Sequence, residues 1–311
     1  MVKGLAIDRF SIADIYLSGG TGHRVEGNFL GTGPSGTSPT EGNGYGVNVF
    51  NTDDSTIGGT SPKTRNLISG NAHFGTSSYV VWLQVASGNT IEGKLIGTDT
   101  NGLGNLGNGN HGIRIDNFSD DTIVGGKDEA RNVIASNGGD GVSVESDASI
   151  RNSILQNSTV NYGGLGIDLG ADGVTANDPK DPDTGPNRLQ NYLLLTSAIT
   201  FGPNTIIKGT LNSTPSIRLK KRIFIIQFFI SPSKDPSHSG EGKINLGQTQ
   251  VSADRQGNAS FSFAPFQRLF EGQFVTATTT NQATGDTSEF SRARVVEPPV
   301  IEGSRGKSES E

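Results

Sequence analysis

The amino-acid sequence predicts an all-β protein in two parts, a right-handed parallel β-helix of about 22 residues per rung followed by a β-sandwich. The first observation behind this is an internal repeat. RNLISGN (65–71) returns as RNVIASN (131–137), and VEGNFLGTG (25–33) as IEGKLIGTD (91–99), both at a shift of 66 residues. The second is composition: 33 of the 44 glycines lie in residues 1–173 and 20 of the 25 asparagines lie before residue 192, so corner-forming residues concentrate in the repeat. The third is apolar alternation in short segments, as at Val47 and Val49 or Ile113 and Ile115, which gives each strand one inward face.

The helix is expected over residues 1–170. Within it an aliphatic residue is followed three positions later by asparagine, at Val25/Asn28, Ile68/Asn71, Ile134/Asn137 and Ile154/Asn157; after Ile91 the asparagine is replaced by Lys94. Read as multiples of one rung, these spacings make the 66-residue unit three rungs and the domain seven or eight. Glycine supplies corners with positive φ, and asparagine tolerates them while its amide can bond backbone or a stacked asparagine in the next rung. An Asp/Pro-rich linker follows over 171–200. From 201 to 295 the pattern changes to separate strands with conventional turns, as in an immunoglobulin-like β-sandwich. IFIIQFFI (223–230) reads as a buried strand, and DRQGN (254–258) as the turn of a hairpin. The charged, serine-rich stretch 296–311 reads as a disordered tail.

Composition excludes several function classes. The 311 residues carry 25 basic and 31 acidic side chains, a net charge of −6, which speaks against a nucleic-acid partner. With no cysteine there is no disulfide framework, thiolate metal site or cysteine nucleophile. The longest apolar run, 223–230, falls far short of the roughly 20 residues that span a bilayer, so no membrane insertion is expected. Asp8, Arg9 and Asp14 interrupt any secretory h-region near the start, where strand-and-turn texture is already present. The expectation is a fragment of a longer extracellular or cell-surface protein whose signal peptide lies outside this chain.

The phrases VEGNFLGTG, NGYGVNVFNTDDSTIGGTSPKTRNLISGN and NTIEGKLIGTDTNG resemble the right-handed parallel β-helix repeats of large bacterial surface and secreted proteins, whose fold is that of the pectin lyase-like superfamily. The continuation from GLGIDLGADGVTANDPKDPDTGPNRLQNY to FVTATTTNQATGDTSEFS resembles the segment after the helix in the same proteins, ending in an immunoglobulin-like module. The resemblance implies the fold. The fold itself hosts lyases, hydrolases, adhesins and tailspikes alike.

Candidate chemistry is sparse. NTDD (51–54) with His111 and Arg114 looks like polygalacturonase motifs, but the repeat places His111 and Arg114 opposite Tyr45 and Asn48, ordinary variable positions. Arg65 and Arg131 recur with the repeat, which favours a scaffold role over that of a lyase base. Trp82 could stack on a sugar, though its aliphatic neighbours suggest packing in the coil. Arg218, Lys220, Lys221 and Arg222 read as charged protection of a strand edge. The acidic loop Asp178, Asp181, Asp183 and Asn187 is the candidate metal site, with alternating oxygen ligands suited to calcium. The function expected is non-catalytic: adhesion, contact with an extracellular polysaccharide or cell-surface glycan, or structural display. The alternative is a polysaccharide lyase or glycoside hydrolase acting in a groove of the β-helix.

Overall fold

The computed structural model describes residues 1–40, 44–71, 79–218, 220–233, 239 and 241–299. The described chain is all-β, and its first part forms three parallel sheets of six strands each. The chain visits the sheets in turn. Val2–Lys3, Arg24–Glu26, Thr56–Gly58, Thr90–Glu92, Ile123–Gly125 and Ser153–Leu155 make the first sheet. Ala6–Ile7, Phe29–Leu30, Leu67–Ile68, Leu95–Ile96, Val133–Ala135 and Ser158–Val160 make the second, and Ala13–Ser18, Tyr45–Phe50, Val81–Gln84, Ile113–Asp116, Val142–Val144 and Ile167–Leu169 the third.

This register corrects the rung length. Val25 pairs with Ile57 and Ile57 with Ile91, so the 66-residue shift spans two rungs of 32 and 34 residues, not three of about 22, and the coil has six rungs among the described residues. The aliphatic-x-x-asparagine pattern misled because it marks two different corners. Asn28 and Asn157 follow strands of the first sheet, whereas Asn71 and Asn137 follow strands of the second.

Inward-facing aliphatic residues align rung on rung: Val25, Ile57, Ile91, Val124 and Ile154 in the first sheet, and Ile15, Val47, Val81, Ile113, Val142 and Ile167 in the third. All are buried in one continuous core. At about 25 cal/mol per Å² of apolar surface removed from water, this column is the main favourable term of the coil. The corners are held by asparagine ladders, as the composition suggested. Asn66 Oδ1 accepts the Asn28 N–H at 2.9 Å, and Asn108 Oδ1 accepts the Asn71 N–H at 2.9 Å. At the first of these corners the stack is interrupted by Lys94, which is fully buried with Nζ 3.4 Å from the Glu92 carbonyl; burial holds its ammonium well below the usual lysine range.

Beyond the coil lie a three-stranded antiparallel sheet of Leu194–Phe201, Asn204–Asn212 and Asn258–Phe263 and a four-stranded one of Ile244–Ser252, Ile223–Ser231, Phe274–Asn281 and Arg294–Val295. They share a second core in which Phe228 stacks on Phe263 at 4.3 Å. Three expectations change here. All but the last residue of the strand Leu194–Phe201 lie inside the stretch read as linker. The 254–258 turn forms, with Gly257 at φ 86°, but it joins strands of different sheets and is not a hairpin. Val296 is buried and the Glu297 N–H donates to the Ala198 carbonyl, so the stretch read as tail begins as part of this module; its residues 300–311 lie outside the described ones.

Ile223–Ser231 lacks alternation for a physical reason. Phe224, Ile226, Phe228 and Ile230 enter the module's own core, while Phe229 meets Phe290 edge-on at 5.3 Å and joins the core of the coil. The two parts are thus one packed body, sealed further by the Gln227 side chain accepting the Gln156 N–H at 3.1 Å and by the Arg188–Asp286 ion pair.

Candidate functional site

Alternation along the third sheet puts one set of side chains outside, and the parallel register aligns them into columns. Tyr16, Asn48, Trp82, Arg114, Ser143 and Asp168 form one such column. Beside it Tyr45, Tyr79 and His111 stack face to face. The Tyr45 and Tyr79 rings are 6.0 Å apart and 5° from parallel, and Tyr79 and His111 are 5.8 Å apart and 2° from parallel. Trp82 packs against both tyrosines, at 5.4 and 5.1 Å. The Arg114 guanidinium lies 4.5 Å from the Tyr79 ring centre and 5.3 Å from that of Trp82.

The polar groups are arranged around this platform. Arg114 Nη2 is 2.8 Å from Asp116 and 2.6 Å from Glu145, so the cation is already neutralised by two acids. Asp140 holds His111 at Nδ1, its backbone N–H and its carboxylate both 2.9 Å from that nitrogen. Burial and the nearby Arg114, in that order, set the Tyr79 phenol, and the net effect is upward. Trp82 Nε1 and Arg114 Nε are enclosed N–H donors with no acceptor among the described residues.

Sequence reasoning missed this platform. His111 and Arg114 are variable positions of one rung, as the repeat indicated, yet they meet aromatic residues and acids of neighbouring rungs. Trp82 faces outward while its neighbours Val80, Val81 and Leu83 fill the coil. The signal that could have found the stack is the spacing from Tyr45 to Tyr79 to His111, 34 and 32 residues, which is one rung each time.

The acidic loop divides. Carboxylate oxygens of Asp178, Asp181 and Asp183, one from each, lie within 4.8 Å of one another. Asp178 Oδ1 and Asp183 Oδ1 are enclosed and without a hydrogen-bond partner among the described residues. Asp181 accepts the Gln190 side-chain amide at 2.7 Å, the Ser213 hydroxyl and the Asn191 N–H at 3.0 Å; burial raises its carboxyl to about 6. Burial first and the Asp178 charge second push Asp183 up. Asn187 has a different task from the one expected. Its Oδ1 accepts the Asn152 N–H at 2.9 Å and its Nδ2 donates to the Asn152 and Thr287 carbonyls, making it the last step of a corner ladder. It is fully buried there, and its amide is committed.

No protein-family model matches the chain, and no curated protein matches it. Function therefore rests on the geometry alone. Arg65, the recurring basic residue, pairs with Glu129 at 3.0 Å, an exposed structural contact outside the third sheet.

Proposed function

We propose that the chain is a non-catalytic glycan-contacting protein of the extracellular space or cell surface, built as a right-handed parallel β-helix with an immunoglobulin-like β-sandwich packed on its end. The stacked platform of Tyr45, Tyr79, Trp82 and Arg114 on one sheet face carries the reading. Sugar rings present C–H faces to aromatic rings and hydroxyls to fixed polar groups, and a platform repeating from rung to rung suits a polymer that repeats likewise. Handedness follows the strong preference of parallel crossover connections. The immediate surroundings of the platform hold more acid than base, since Asp116, Glu145 and Asp140 outnumber Arg114, so a neutral or amino glycan suits it better than a polyuronate. Native gels cast with single polysaccharides test this: retardation by a neutral or amino polymer supports the reading, and unchanged mobility in every gel sinks it.

One observation favours the rival reading of a lyase or hydrolase, namely that His111, Asp140 and Glu145 gather on adjacent rungs without recurring through the repeat. Against it, each is tied to a protein partner: Asp140 to the Leu165 N–H and His111, Glu145 to Arg114 and Ser143. Release of new reducing ends or unsaturated uronides would decide for the enzyme.

The acidic loop is the proposed calcium site, with Asp178, Asp181 and Asp183 as ligands and the unpartnered oxygens of Asp178 and Asp183 as the supporting observation. The Lys180 N–H donates to Asn212 and Asp181 accepts from Ser213, so calcium here would stiffen the loop against the C-terminal module. Calcium-dependent stabilisation that Asp183→Asn removes would support this.

A further inference from the structure

The stacked column Tyr45–Tyr79–His111 runs into a cleft of about 420 Å³ whose lining includes His111, Asp140, Tyr162, Gly139, Gly164 and Asp168. Its walls are backbone at the glycines: a Cβ on Gly164 would meet the Asp140 carboxylate at 2.0 Å, and one on Gly163 the Gly138 carbonyl oxygen at 2.0 Å. The sequence thus keeps side chains out of the space beside the Asp140 carboxylate. Asp140 is 5% exposed; its Oδ1 accepts the Leu165 N–H at 2.6 Å, and its Oδ2 lies 2.9 Å from His111 Nδ1, the nitrogen that accepts the Asp140 backbone N–H. Asp168 is 4% exposed; Oδ2 accepts the Gly173 N–H at 3.1 Å and the Ala171 N–H lies close to the carboxylate, while Oδ1 has no hydrogen-bond partner in good geometry among the described residues.

A buried carboxylate oxygen without a partner forfeits its hydration and demands either a proton or a cationic donor. Burial, with Asp140 adding to it, raises the Asp168 carboxyl to about 6, while the backbone N–H groups of Gly173 and Ala171 pull it the other way. A compact cationic donor would complete the cleft, and the aromatic column adjoins it at His111.

We propose that this cleft is the subsite for a protonated amine borne by a sugar residue, with Asp168 and Asp140 as its counter-charges and the Tyr79–His111 stack guiding the neighbouring ring. The proposal rests on the glycan-contact reading and gives it a substrate class, a polymer of free amino sugars. A neutral sugar fills the column equally well but leaves the Asp168 oxygen unpaired.

Trp82 is the single tryptophan of the chain and touches the column, so its fluorescence reports occupancy. The experiment titrates the full chain with a hexamer of β-1,4-linked glucosamine and, separately, with its fully N-acetylated counterpart. A charge-assisted hydrogen bond predicts about tenfold or greater preference for the amine form. Asp168→Asn, checked for folding by its melting curve, should bind both hexamers alike, with the acetylated one unchanged. Equal affinities of the wild-type chain for the two hexamers overturn the amine subsite while leaving glycan contact intact. Binding of neither hexamer or any other glycan overturns both. An amine preference that survives in Asp168→Asn overturns the assignment of the cleft.

Discussion

The imidazole of His111 lies flat on the phenol ring of Tyr79, 2° from parallel, and Tyr79 lies in the same way on Tyr45. Three rungs of the coil therefore present one continuous stack, locked from the side by Arg114. Aromatic rings that bury each other at rung spacing are costly to misplace, so the platform is set before any ligand arrives.

Removing one ring from the stack should weaken glycan contact without unfolding the coil, whose core is filled by the opposite faces of the same strands. Tyr79→Ala is expected to lower affinity about tenfold, roughly the worth of one aromatic contact. Affinity electrophoresis and a melting curve on the same sample separate lost contact from lost fold.

Lys94 interrupts an otherwise polar-satisfied corner. Asn66 precedes it in the stack and Asn132 Oδ1 accepts its N–H at 2.9 Å, so asparagine at 94 would restore the ladder. Lys94→Asn should raise stability by about 1 kcal/mol or more, since it removes a buried amine that has only a 3.4 Å contact. Denaturant titration measures this. A destabilised variant would mean that the long aliphatic stem of Lys94 fills space the asparagine leaves empty.

Glu289 joins the two parts of the chain. Its carboxylate accepts the Leu169 N–H at 3.2 Å and the Thr175 N–H at 3.0 Å, and burial raises its carboxyl to about 8. A folded-state value above the ordinary 4.5 means that the native chain binds this proton more tightly than the unfolded one. The contribution is fully present below about pH 4.5 and is lost as pH rises through about 8. Asp168 and Asp181, each raised to about 6 by burial, add the same sign over a lower window. Melting temperature should thus fall between about pH 5 and 8, and Glu289→Gln should flatten the upper part of that fall.

The acidic loop and the ladder residue beside it should separate cleanly. Saturating calcium at a hundredfold excess over its Kd stabilises by about 2.7 kcal/mol. Asp183→Asn is expected to abolish that gain. Asn187→Ala should instead destabilise the chain by about 1–3 kcal/mol with or without calcium, because it leaves the Asn152 backbone groups unpaired.

The coil was legible in sequence because its signals are local: aliphatic alternation, glycine corners and asparagine ladders each follow from a few neighbouring residues. Rung length was not, because insertions between strands differ and Asn28 and Asn71 mark separate corners with the same short pattern. The acid trio was legible as a spacing of like residues in one loop. The fate of Asn187 was not, since its partners Asn152 and Thr287 are 35 and 100 residues away. The aromatic platform escaped for the same reason as the rung length: Tyr45, Tyr79 and His111 align only once the correct register is known. Phe229 reads as core either way, but that it belongs to the coil and not to its own module depends on packing at the junction.

The most direct measurement is Trp82 fluorescence of the full chain against a panel of neutral, amino and acidic polysaccharides, with reducing ends and unsaturated products followed in the same tubes. Glycan contact predicts a saturable change with a neutral or amino polymer, lost in Tyr79→Ala, and no product. A chain that binds none of them, or that binds and cleaves, contradicts it.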